Sequence, residues 1–147
     1  MQIRVTPKNA RAKLNGLAPG ADVVFGAGTY GDILGLNLGN LNDAGAPETI
    51  LRSEGGATIS MGVSANEFRV NGNECAKKVS ERPPPDNYPG LWPYLMNGRL
   101  KLARCRNMRI KGFEFELSWP THIAISECKE IAIKACHFRD GTFAVGA

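Results

Sequence analysis

Arg109, Lys111 and Lys134 are the residues whose types and spacing most readily do chemistry in this chain. Arg109 and Lys111 lie two apart, which puts them on one face of a β-strand. Lys134 follows Lys111 by 23 residues, an interval that recurs through this part of the chain. On neighbouring strands, roughly 4.8 Å apart, the lysines form a cationic strip suited to the carboxylates or sulfates of an acidic polymer. The plainer alternative is two solvated lysines that splay apart, since bare like charges at that spacing repel.

The same interval sets Glu114 beside His137 and Glu116 beside Arg139. A histidine paired with a carboxylate can move a proton near neutrality. Here no nucleophile, second base or metal cluster accompanies it, and exposed opposite-charge pairs contribute only about 0–1 kcal/mol. Four cysteines stand at 75, 105, 128 and 136. None forms a CxxC pair or a zinc spacing. Cys105 and Cys128 read as a pair of small buried side chains, and their spacing also lies within disulfide range. Tyr88, Trp92 and Tyr94 are flanked by prolines and make stiff flat faces on which sugar rings dock. They serve equally well as an apolar patch folded against the flank of the domain.

Gly26-Ala-Gly-Thr-Tyr-Gly31 matches the dinucleotide-binding fingerprint in form. That fingerprint works only where its last glycine opens a helix that holds the pyrophosphate. The next residues are Asp32-Ile-Leu-Gly-Leu-Asn-Leu-Gly39, whose leucines alternate at the strand period. The motif is expected to be a turn.

The elements that must position these groups come from an internal repeat. Leu100-Lys-Leu-Ala-Arg-Cys105 overlays Ile123-Ala-Ile-Ser-Glu-Cys128. The overlay continues with Met108 on Ile131, Ile110 on Ile133, Phe113 on Cys136 and Phe115 on Phe138, and Phe143-Ala-Val145 begins a further copy. Within each copy apolar and polar residues alternate at period 2, so the copies are strands. Short strands recurring every 20–25 residues or so predict a β-solenoid. Thr6-Pro7 reads as a helix start, Thr6 being the N-cap, with a helix through Ala10, Leu14 and Leu17 that caps the first rung.

At this point the chain resembles a family. Ala18-Pro-Gly-Ala-Asp-Val-Val-Phe-Gly-Ala-Gly-Thr-Tyr30 looks like the opening of many right-handed parallel β-helix proteins, and Ala46-Pro-Glu-Thr-Ile-Leu-Arg52 and Gly55-Gly-Ala-Thr-Ile59 continue the likeness. The nearest group is that of pectate-lyase-like polysaccharide lyases which includes alginate lyases and chondroitinase B. The resemblance implies an all-β, right-handed parallel β-helix of about four rungs. It divides as a cap at 6–19, first rungs at 20–62, an inserted Pro- and aromatic-rich loop at 63–98, and regular rungs at 99–147. It further implies an acidic, uronate-containing polysaccharide as partner, a secreted or periplasmic location, and calcium as the metal some such lyases use.

Lyase chemistry needs a neutralised carboxylate, a base for the C5 proton and an acid for the leaving oxygen. No complete set of these is visible, and no metal ligands are assigned. The candidate substrate-binding surface is Arg109, Lys111, Lys134 and His137, joined by Tyr88, Trp92 and Tyr94 if the inserted loop covers that face. Two other readings stand beside it: a structural β-helix segment of a tailspike, adhesin or larger assembly, and a small cytoplasmic β-helix with an unrelated role.

The bulk numbers agree with one globular domain of 147 residues, 43% of them hydrophobic. A net charge of +4 is too mild for a nucleic-acid footprint. No apolar run of about 18 residues predicts a membrane span, and Met1-Gln-Ile-Arg-Val-Thr-Pro7 carries no signal-peptide pattern. Because the last residues fall just inside a new strand, a C-terminal continuation or a second chain is expected to cover that end.

Overall fold

The computed structural model describes residues 2–31, 37–39, 47–60, 100–117, 121–139 and 143–146. These residues are mostly strand, with one short helix. In chain order the elements are β1 (Gln2–Val5), α1 (Ala10–Leu14), β2 (Asp22–Phe25), β3 (Gly28–Tyr30) and β4 (Asn37–Gly39). Next come β5 (Thr49–Ser53), β6 (Ala57–Ser60), β7 (Leu100–Ala103), β8 (Arg106–Lys111) and β9 (Glu114–Glu116). The last four are β10 (Thr121–Ser126), β11 (Lys129–Lys134), β12 (His137–Phe138) and β13 (Phe143–Gly146).

The strands form three sheets, and every pairing between them is parallel. Sheet A is ordered β1-β2-β5-β8-β11, sheet B β3-β6-β9-β12, and sheet C β4-β7-β10-β13. The 23-residue interval is the register itself: Leu100 pairs with Ile123, Met108 with Ile131 and Phe115 with Phe138. The further copy at Phe143 is also in place, with Val145 beside Ile123.

Period-2 alternation puts one face of each sheet into a shared core. Its rows run across the strands: Ile3, Val23, Leu51, Ile110 and Ile133 in sheet A, and Tyr30, Ile59, Phe115 and Phe138 in sheet B. Val23, Ile110 and Phe115 are fully buried. Phe25 meets Tyr30 and Phe113 edge-on at 5.0 and 4.9 Å, while Phe115 stacks on Phe138 at 5.0 Å. Between strands the chain turns through left-handed residues that also recur at 23, Arg104 with Glu127 and Gly112 with Ala135. The same conformation repeats at Asn107 and Glu130, the second residues of β8 and β11.

Two local expectations need correction. Thr6 does not cap the helix with its side chain. Its carbonyl accepts from the N–H groups of Asn9 and Ala10, Asn9 Oδ1 accepts from the Thr6 N–H, and the helix begins only at Ala10. The helix is shorter than expected because a turn at Pro7–Asn9 comes first. Ahead of it lies β1, an edge strand that the sequence did not announce, in register with β2. The glycine motif holds β3 and not merely a turn: Gly28 pairs with Ala57 and Tyr30 with Ile59. The inserted loop at 63–98 lies outside the described residues.

Candidate functional site

Sheet A presents two outward rows. One runs Gln2, Asp22, Ile50, Arg109 and Ala132. The other runs Arg4, Val24, Arg52, Lys111 and Lys134, so four of its five positions carry a cation. At roughly 4.8 Å per strand the second row spans about 19 Å across the sheet. Val24 lies outside the core cluster yet is only 1% exposed. Long arginine stems flank it on both sides, and such stems cover apolar surface while their heads stay wet.

The charges of this row are not equivalent. Arg4 is paired with Glu54 at 2.9 Å. Arg52 donates to both carboxylate oxygens of Asp22, at 2.8 and 3.1 Å. This fork-on-carboxylate geometry is the strong form of the pair, and the hydrogen bonds from Arg52 hold the Asp22 carboxyl below its ordinary value. Elsewhere in sheet A, Arg106 meets Glu130 at 3.2 Å. Each arginine of the sheet therefore has its own acid. Lys111 and Lys134 are exposed and sit side by side in register, and among the described residues neither has a carboxylate at ion-pair distance.

The expected strip is thus divided. Lys111 and Lys134 come together as expected. Arg109 faces outward but belongs to the other row and is tied to Glu48 at 3.3 Å, so it is not a free member of the strip. His137 stands on sheet B, its Nδ1 at 3.5 Å from Glu114 Oε1, with the imidazole largely in solvent. It shares no sheet with the lysines. Tyr88, Trp92 and Tyr94 lie outside the described residues. Arg139 reaches Glu116 at 2.9 Å, so that pair also forms as read.

Two members of the basic row, Arg4 and Arg52, carry no signal in the sequence. Arg52 precedes Lys111 by 59 positions, an interval that includes the unmatched stretch and follows no repeat, so no spacing points to it. His122 is a third residue that sequence reasoning misses. Alternation with Ile123 would turn this ring outward, yet it is 1% exposed, with its centroid 6.1 Å from Phe115 and 5.6 Å from Phe138. No sequence pattern signals that burial.

Cys105, Cys128 and Cys136 are not joined by disulfides. Cys105 is buried as expected, whereas Cys128 and Cys136 are only partly covered. Burial pushes the Cys136 thiol above its ordinary value. Among the described residues no group of three or more His, Cys, Asp or Glu is placed to hold a metal ion. The arrangement can bind an anion by charge. Comparison with protein-family models, with curated proteins and with solved structures finds no match for this chain.

Proposed function

We propose that this chain is a right-handed parallel β-helix of the pectate-lyase-like kind that binds a linear, uronate-containing polysaccharide through Lys111 and Lys134. The β-helix reading is supported by the order in which the chain visits its sheets, A then B then C, with parallel pairing at each return. Right-handed crossovers are the near-universal choice for such connections. The binding reading rests on one observation: on a sheet where each arginine has its own acid, these two stacked lysines have none among the described residues. Facing like charges repel, and an anionic polymer laid across them would relieve that repulsion. Its carboxylates would succeed one another along the row, at right angles to the strands.

A second reading, a structural β-helix segment of a tailspike, adhesin or larger assembly, draws on a different observation. Arg106 with Glu130 and Arg139 with Glu116 link successive copies of the repeat with charges that satisfy each other. Such ladders serve cohesion and leave nothing for a ligand.

The test is a titration with alginate, chondroitin sulfate and a neutral glucan at low and high salt, following the near-ultraviolet absorbance of unsaturated uronate. Salt-sensitive binding to the acidic polymers alone, lost in Lys111→Ala/Lys134→Ala with the circular dichroism unchanged, is the expected result. Equal affinity in the double variant would remove the lysine strip from consideration. An absence of binding to any of the three polymers would favour the structural reading. Rising absorbance would add lyase activity.

A further inference from the structure

The thiols of Cys105 and Cys128 stand in neighbouring copies of the repeat, between strands whose registers are fixed on both sides. Ala103 pairs with Ser126 before them and Arg106 with Lys129 after them. The backbone is bonded directly around the pair as well. The Arg104 N–H donates to the Ser126 carbonyl at 2.9 Å, and the Lys129 N–H donates to the Cys105 carbonyl at 3.0 Å. Adjacent strands lie roughly 4.8 Å apart, inside the range of about 4.4–6.8 Å that a disulfide spans between Cα atoms.

Cys128 already leans toward the earlier strand. Its Sγ lies 3.4 Å from the Cys105 backbone nitrogen and 3.5 Å from the Leu102 carbonyl oxygen. Cys105 leans the same way, toward its own earlier strand and so away from Cys128, with Sγ at 2.7 Å from the Leu38 carbonyl oxygen. Rotation of the Cys105 side chain, at the loss of that contact, is the movement that brings the sulfurs together. Cys136 is the internal control: one repeat earlier its neighbour is Phe113, which offers no sulfur.

We propose that Cys105 and Cys128 are a modification site, a thiol pair that a low-molecular-weight disulfide such as oxidised glutathione closes into a covalent clip between adjacent copies of the repeat. The more accessible Cys128 reacts first. Its thiolate attacks one sulfur of oxidised glutathione, forms a mixed disulfide and releases one glutathione thiolate. The Cys105 thiolate then attacks Cys128 Sγ, forms the Sγ–Sγ bond and expels the second glutathione thiolate. The protein loses two electrons and two protons, and the oxidant is reduced to two glutathione thiolates, so the exchange balances. The clip closes in an oxidising compartment and opens in a reducing one, whether or not the lysine strip binds a polymer.

The test is to oxidise the folded chain with oxidised glutathione, block remaining thiols and digest with trypsin without reductant. Cleavage after Arg104 and Arg106 isolates Cys105 in a dipeptide, and cleavage after Lys111 and Lys129 isolates Cys128 in peptide 112–129. The expected product is these two peptides joined, two hydrogens lighter than their sum and separated again by reductant. Cys128→Ser should abolish it, while Cys136→Ser and Cys75→Ser should each retain it. The oxidised chain should also melt higher than the reduced one. Glutathione adducts without the joined peptides, or bridges formed instead by Cys136 or Cys75, would overturn the assignment. The wild-type digest gives this answer even if a variant fails to fold.

Discussion

Asp22 grips Arg52 diagonally across two parallel strands: Asp22 is in register with Ile50, yet both its carboxylate oxygens take hydrogen bonds from the guanidinium two residues further on. The Arg52 bonds hold the Asp22 carboxyl below its ordinary 3.8, and the Arg4 bond does the same to Glu54 from 4.5. Both groups bind a proton less readily folded than unfolded. Their contribution to stability is complete above the unfolded values and disappears as pH falls through the lower folded values. Thermal melting followed from roughly pH 6 to roughly pH 2 should therefore show a steep acid loss. Asp22→Asn should flatten part of that loss. A variant whose acid profile matches the wild type would show that the pair contributes nothing to folding.

Gly112 and Ala135 occupy the same turn one repeat apart, with φ of 82° and 51°. Left-handed backbone costs an L-residue roughly 1–2 kcal/mol, against about 0.5–1 kcal/mol of extra chain entropy lost by glycine. Ala135→Gly should therefore stabilise the fold by up to about 1 kcal/mol. Gly112→Ala should destabilise it, since its Cβ would also come within 3.3 Å of the Ser53 carbonyl oxygen. Urea denaturation of the two variants checks the opposite signs. Destabilisation in both would mean that each turn is built around the residue it already has, and no change in either would mean that the turn tolerates both.

What the sequence made legible is the part carried by repetition. Pairing Leu100 with Ile123 and Glu114 with His137 needs only an overlay of equal intervals, and alternation then turns Lys111 and Lys134 outward. Where repetition stops, so does legibility. Arg52 beside Lys111 depends on strand pairing across 59 positions. Arg109 is placed on its outward face by alternation, but Glu48, which holds it, lies just before β5 and is found only through the register. The helix start is hidden because Asn9 closes a turn with Thr6 that competes with direct capping. Tyr88, Trp92 and Tyr94 belong to no repeat, and proline and aromatic composition alone assigns them to no strand.

Gly28 tests the glycine motif as a structural device. It sits at φ 138°, and a Cβ there would lie 2.7 Å from Pro7 Cγ. Pro7 belongs to the turn before α1, so the contact seats the N-terminal segment against β3. Gly28→Ala should destabilise the fold by about 1–3 kcal/mol through backbone strain together with that clash. Measured by denaturation, an unchanged stability would refute this close approach. Saturable binding of a nicotinamide dinucleotide to the wild type, lost in Gly28→Ala, would restore the cofactor reading of the motif.

Lys134→Glu separates stability from binding on the lysine strip. In the wild type two cations face each other across β8 and β11. The substitution turns that pairing into an opposite-charge one, and cross-strand pairs of this kind differ by roughly 0.2–1 kcal/mol. The variant should therefore be slightly more stable than the wild type and yet bind an acidic polysaccharide less tightly, with a weaker salt dependence. A strip with no ligand would show the stability gain alone. Melting temperature and affinity, measured on one preparation at two salt concentrations, should move in opposite directions. Stability and affinity falling together would instead mean that Lys134 supports the sheet, and the binding loss would then be secondary to damage in β11.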